Sequence, residues 1–180
     1  MAGVFSTGLV RDRIDTTVYN IERYKQGDSD SSVGARLDMY EFSWGLFLQA
    51  PLFGHGLGAF KEKAIEAREG GLLDDKSRVI GIVNTPHNEF FLAAVERGLV
   101  GLFVLLLLFA VPGYIFSRAA FSYDYVVAYY GVSGIGLLVV FFVAGQTGTL
   151  FHHNVFTHFY ILMMFLFVSQ IRARVSVVLV

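Results

Sequence analysis

From Gly98 the chain runs twenty positions to Ser117 without a charged side chain, and Arg118 ends the run. At 1.5 Å per residue such a helix reaches about 30 Å, the thickness of a bilayer's hydrocarbon core. The next charge-free run, Tyr125 to Ile171, has 47 residues. That is too long for one crossing and long enough for two of about 20 residues with a turn between them. The stretch "AGQTGTLFHHN", Ala144 to Asn154, supplies the turn. The pattern predicts three transmembrane helices, near 98–117, 124–144 and 151–171, with a kink at Pro112 that neighbouring helices tolerate.

The first 97 residues read differently, as mostly helical but polar. Leu37, Tyr40, Glu41, Trp44, Phe47 and Leu48 recur at helical spacing, and Pro51 stops that segment. "GHGLG" is a loop, and "AFKEKAIEARE" is a short charged helix ended by Gly70 and Gly71. Leu72 to Val83 reads as a linker. Thr85 and Pro86 then offer an N-cap and a first-turn proline for the helix that enters the first apolar run. The expected fold class is therefore an all-α integral membrane protein. A helical loop region, 1–97, precedes a membrane region, 98–180.

Charge confirms the division. Of 14 lysines and arginines and 15 acidic residues, only Arg118, Asp124, Arg172 and Arg174 lie beyond Arg97. Arg118, Arg172 and Arg174 fall on one side of a three-span layout. The positive-inside rule makes that side cytoplasmic, so residues 1–97 and the His152–His153 turn face outward. The net charge of −1 and the lack of a recognition motif argue against nucleic acid as a partner. With no cysteine, disulfides and thiolate metal sites are excluded. "MAGVFSTGLV" has no basic n-region and is too short to cross a bilayer. Nothing at the amino terminus would carry the polar half outward, so the expectation is the back part of a larger membrane protein, as a fragment or one piece of a split protein.

The chemistry-bearing residues cluster in "NTPHNEFFLAAVERGLVG", Asn84 to Gly101. With Thr85 as cap, His87 and Asn88 fall in the helix's first turn, where the positive end of the dipole disfavours an imidazolium. A neutral imidazole accepts a proton, as a general base must; a surface histidine is the plain alternative. Asn88 and Glu89 have the chemistry to orient that ring or a sugar hydroxyl, or simply to cap the helix. Glu96 lies seven positions after Glu89 and shares its helix face, while Arg97 reads as an interfacial anchor. Arg36 can grip phosphate oxygens with two N–H groups, although alone it is as readily a surface arginine. Gly54, Gly56 and Gly58 allow either close phosphate approach or a tight turn; no P-loop or dinucleotide signature accompanies them. His152, His153 and His158 match no metal-ligand spacing and have no carboxylate near in sequence, so no metal and no cofactor is expected.

In order, Arg36, Trp44, Pro51, Gly54, Gly56, Gly58, His87, Asn88, Glu96 and Gly98 resemble the carboxy-terminal part of the O-antigen ligase and polymerase family of bacterial inner-membrane proteins. The likeness covers about residues 30 to 118. It implies an all-helical glycosyltransferase working on the periplasmic side of the inner membrane. The donor would be a glycan on undecaprenyl diphosphate. The acceptor would be lipid A–core, a growing polysaccharide or a protein. It implies His87 as the base, Arg36 as a clamp on the diphosphate, and Asn88, Glu89, Glu96 and the three glycines as substrate-binding residues. Membrane lipid, and transmembrane helices from another chain, would be the further partners. A non-catalytic membrane scaffold is the alternative from another class. A transporter component is disfavoured because the three spans contain no charged residue.

Overall fold

A computed structural model describes residues 2–28, 31–71 and 84–178. Its order is α1 (Ala2–Lys25), α2 (Ser32–Gln49), α3 (Ala59–Glu69), α4 (Glu89–Ala120), α5 (Tyr125–Gly145) and α6 (Asn154–Val178), with a 3₁₀ turn at Leu150–His152 before α6. No strand occurs among the described residues. The expected linker at 72–83 lies outside them. Three helices, Glu89–Ala120, Tyr125–Gly145 and Asn154–Val175, are long and apolar enough to cross a membrane. The protein is an all-helical membrane protein, as the charge-free runs imply. α6 begins at Asn154, later than the expected 151, because Leu150–His152 tighten into the 3₁₀ turn.

α4 has 32 residues, about 48 Å at 1.5 Å per residue, which exceeds the hydrocarbon core of about 30 Å. It is broken at Gly98, whose φ is 62° and ψ −153°. The break falls there rather than at Pro112, where the backbone stays helical. Pro112 has no N–H to offer Leu108, and the Tyr160 hydroxyl of α6 donates to that freed carbonyl instead.

The break divides α4 between two cores. Before it, Leu92 and Val95 pack with Met39 and Leu46 of α2 and Phe60 and Ala64 of α3. Beyond it, Phe116 and Ala119 pack with Val127, Leu138 and Phe141 of α5 and Tyr160, Met164 and Ile171 of α6. Gly131 and Gly134 let α5 approach α4 closely. A Cβ on Gly131 would lie 2.3 Å from the Ala120 nitrogen, and one on Gly134 would lie 2.4 Å from the Phe116 ring. The outer faces stay apolar and exposed, as at Phe103, Tyr129 and Phe165, which suits lipid.

α2 presents a different face from the one its spacing suggests. Gly34, Met39, Ser43, Leu46 and Phe47 are buried, whereas Trp44 and Leu48 are exposed. Sequence spacing found one apolar stripe. The packing of α3 and α4 uses the neighbouring one, and Phe47 is common to both.

The loop Pro51–Gly58 lies in the break. Unbroken, the Leu99 N–H would bond the Val95 carbonyl and Val100 the Glu96 carbonyl. Here Leu99 N–H donates to Pro51 O (2.8 Å) and Val100 N–H to Leu52 O (3.3 Å). The vacated carbonyls of Val95 and Glu96 accept from the N–H groups of His55 and Gly56, each at 2.9 Å. Two lost helical bonds are thus replaced by four to the loop. The two backbones approach so closely that a Cβ on Gly54 would lie 2.4 Å from the Arg97 nitrogen, and one on Gly98 would lie 2.5 Å from the Leu52 carbonyl carbon.

Gly54→Ala and Gly98→Ala are each expected to destabilise by roughly 2–5 kcal/mol, through backbone collision added to a left-handed φ. Gly56→Ala, where the added Cβ meets open space, should cost only about 1–2 kcal/mol. Thermal unfolding in detergent micelles checks this, and equal losses at all three positions would contradict it.

Candidate functional site

His87 ends the segment Asn84–His87 that leads into α4. Asn88, not Thr85, is the N-cap, its side-chain oxygen accepting from Phe90 N–H (2.9 Å) and Phe91 N–H (3.1 Å). Asn wins the position because its side chain reaches two orphan donors of the first turn. His87 is therefore one residue outside the helix. Its φ of 51° makes it the one non-glycine residue with positive φ among those described. A left-handed residue costs about 1–2 kcal/mol, so its neighbours must hold it. On one side Pro86 is fully buried; on the other Asn88 is buried and committed to the cap. The imidazole between them is exposed.

Three bonds dock this segment and the start of α4 onto the turn between α5 and α6. Asn88 Nδ2 donates to Gln146 O (3.2 Å). Phe151 N–H donates to Glu89 Oε2 (3.0 Å). The Thr149 hydroxyl donates to the Thr85 hydroxyl (3.4 Å). Glu89 is 4% exposed and stands in the part of α4 that precedes the apolar run.

Between the two segments lies a cleft of about 540 Å³. Asn84, Thr85 and His87 line one side; Gly148, Thr149, Leu150, His152, His153 and Phe156 line the other. The fold thus brings His87 together with the adjacent pair His152 and His153, 65 and 66 positions later in the sequence. No cluster able to hold a metal ion occurs among the described residues.

The other predicted residues are placed as follows. Arg36 is exposed on α2, one turn before Tyr40. The Tyr40 ring stacks on Phe91 at 4.7 Å, and its hydroxyl donates to the same Gln146 carbonyl that Asn88 uses. Further along, His55 ties α2 to α4, its Nε2 meeting Leu46 O at 2.7 Å while its N–H meets Val95 O. Tyr40 is thus level with Phe91 and Leu46 with Val95, so α2 runs parallel to the start of α4. Arg36, one turn back on α2, does not line the cleft.

Glu96 and the glycines stand elsewhere. Glu96 is 4% exposed. Its Oε1 accepts from Gly58 N–H at 2.7 Å, and its Oε2 is 3.5 Å from Arg97. Gly58, at φ 81°, starts α3. Glu96 therefore ties the glycine loop to α4, and Gly54 and Gly56 serve the backbone exchange at Gly98. Sequence reading put the His152–His153 turn on the same outward side as His87 and rejected a metal role for these histidines on spacing, but gave His152 and His153 no part in the site; the fold sets them across one cleft from His87.

A family model described as O-antigen ligase matches residues 1–106. The O-antigen ligase of Escherichia coli (strain K12) is 28% identical over 133 residues, 71% of this chain and 30% of that protein. An uncharacterized protein of Haemophilus influenzae is 28% identical over 97 residues, 52% of this chain and 23% of that protein. The matched regions span less than a third of the length of these curated relatives.

His87→Gly removes the imidazole and the left-handed strain together. It is expected to unfold at or above the parent's temperature, gaining up to about 1 kcal/mol. His87→Val, β-branched at positive φ, should lose about 1–2 kcal/mol or more. Melting curves of the three proteins read this order, and a Gly variant less stable than the Val variant would contradict the strained geometry.

Proposed function

Since the chain belongs to the O-antigen ligase family, we propose that it takes part in transferring a glycan from undecaprenyl diphosphate to an acceptor hydroxyl at the periplasmic face of the bacterial inner membrane. The acceptor is lipid A–core, a polysaccharide or a protein. The observation that carries this reading is the strained, exposed His87 on a cleft at the end of α4 where the polar segment meets the apolar run. A donor with its lipid in the bilayer presents its diphosphate at that level.

In this reading the acceptor oxygen attacks the anomeric carbon of the donor sugar. The bond from that carbon to the phosphate oxygen breaks, and undecaprenyl diphosphate leaves. The hydroxyl proton passes to His87, which lies just beyond the amino end of α4 and whose exposed ring makes no hydrogen bond among the described residues. Arg36, exposed on α2, is assigned to meet the charge growing on the departing diphosphate. Its guanidinium keeps its charge and offers paired N–H groups for that purpose. Asn88 and Glu89 hold His87 and the α5–α6 turn in register, and Glu96 with Gly54, Gly56 and Gly58 fixes α2 beside them.

The test is lipopolysaccharide laddering in a bacterial strain without its own O-antigen ligase. The chain is expressed alone and joined to the upstream membrane segments of the E. coli relative. His87→Ala should lower transfer by about 10²–10⁴-fold. Arg36→Ala should lower it by about 10²-fold or more, with Arg36→Lys falling between Arg36→Ala and the parent. Undiminished transfer by His87→Ala would sink the base assignment. No transfer by any correctly inserted protein would favour a scaffold.

A further inference from the structure

The chain has five histidines, and the structure sorts them sharply. His55 and His158 spend a ring nitrogen on a backbone carbonyl, Leu46 O at 2.7 Å and Asn154 O at 2.6 Å. The rings of His87, His152 and His153 make no hydrogen bond among the described residues, and all three line the one cleft. We infer that the α5–α6 side of this cleft, His152, His153 and Phe156, is a binding subsite for a neutral saccharide, namely the acceptor sugar rather than the donor's diphosphate. The inference rests on the transferase reading above and assigns a substrate part to a wall of the same site.

The lining carries the argument. It contains no lysine, arginine, aspartate or glutamate. A diphosphate calls for fixed positive charge or charge-assisted donors, and this wall has neither. A neutral imidazole has one N–H donor and one acceptor nitrogen, and a threonine hydroxyl both donates and accepts. That balance matches sugar hydroxyls, which do the same. The rings supply the other half of saccharide chemistry, an aromatic surface for the apolar C–H face of a pyranose. The His153 and Phe156 rings stand edge to face at 6.1 Å, and those of His152 and His153 at 6.0 Å. Three exposed rings in sequence form a stepped wall opposite His87.

The wall is also held still. The 3₁₀ turn bonds His152 N–H to Thr149 O (3.3 Å) and His153 N–H to Leu150 O (3.1 Å). The Thr157 hydroxyl caps both Phe151 O (3.1 Å) and His153 O (3.2 Å). Phe151 N–H is clamped by buried Glu89, two residues from His87. The histidine wall and the proposed base therefore share one rigid connection. Binding an acceptor on the wall would bring its hydroxyl across the cleft to His87, and the leaving group would be served from outside this uncharged wall.

The test measures binding without turnover. The protein, in lipid nanodiscs with labelled histidine rings, is titrated with deacylated core oligosaccharide and separately with inorganic pyrophosphate. The oligosaccharide is expected to shift the His152 and His153 ring signals, and pyrophosphate to leave them unmoved. Phe156→Ala and His153→Ala should weaken oligosaccharide binding by roughly tenfold. In the ligation assay they should raise KM for the acceptor while kcat and the donor KM stay near the parent's. Pyrophosphate shifting the two rings, or no oligosaccharide effect on them in the folded parent protein, would overturn the assignment. So would parental acceptor binding by both variants. Binding as expected with no transfer would defeat the transferase reading alone. His87-dependent transfer with unchanged acceptor KM in both variants would defeat this inference alone.

Discussion

The backbone exchange at Gly98 is the constraint on which the remaining architecture depends. A helix entering a membrane cannot leave peptide groups unpaired, because water is not there to replace the lost bonds. An unpaired buried amide or carbonyl costs about 1–3 kcal/mol. α4 nevertheless breaks at the boundary, and the loop Pro51–Gly58 supplies all four missing partners. That fit is possible only because both strands of the contact are glycine at their closest points, Gly54 and Gly98. Glu96 adds a side-chain bond to Gly58 N–H. One junction thereby fixes where α2 ends, where α3 starts and how both lie against α4.

This junction also explains what sequence reading could and could not reach. The apolar runs declare the three membrane helices because hydrophobic length is a one-dimensional property. The glycines and Glu96 were legible as a pattern, but their job was not. A glycine row serves phosphate approach and backbone approach equally well on paper. The partner that decides between them is another stretch of main chain some forty residues away. The same limit applies to α2, where local spacing cannot say which of two overlapping stripes α3 and α4 will cover. At Thr85 a local rule pointed to the wrong cap because Asn88 competes for the same role and also reaches Gln146 O. The histidine cleft was the least legible feature, since it forms only when the α5–α6 turn folds back beside His87.

Membrane packing shows a second case of the same accounting. Pro112 leaves the Leu108 carbonyl unpaired in the middle of α4, and the Tyr160 hydroxyl takes it. Phe109 and Tyr160 then pack ring against ring, with Phe141, Phe142 and Phe151 around them. Phe90 extends this aromatic stack to the first turn of α4. These rings form one cluster around Phe109 that reaches Phe90 and Phe151, the neighbours of the bond between Glu89 and the Phe151 N–H. A packed apolar cluster thus adjoins the polar cleft.

That arrangement bears on how the proposed roles divide. Asn88 and Glu89 have the chemistry of substrate ligands, yet both are buried and already bonded within the protein. Their bonds hold the strained His87 and the neighbouring turn. The three imidazoles that line the cleft, by contrast, make no hydrogen bond among the described residues, and the Arg36 guanidinium is on an exposed residue of α2. A base must keep a free nitrogen, a saccharide subsite must keep free donors and acceptors, and a diphosphate clamp must keep its charge exposed. Every buried side-chain polar atom among the described residues has a hydrogen-bond partner, and the cleft imidazoles are left open to a ligand. The break at Gly98 seats the start of α4 against α2, α3 and the α5–α6 turn, so the junction that re-pairs the broken helix also positions the proposed base.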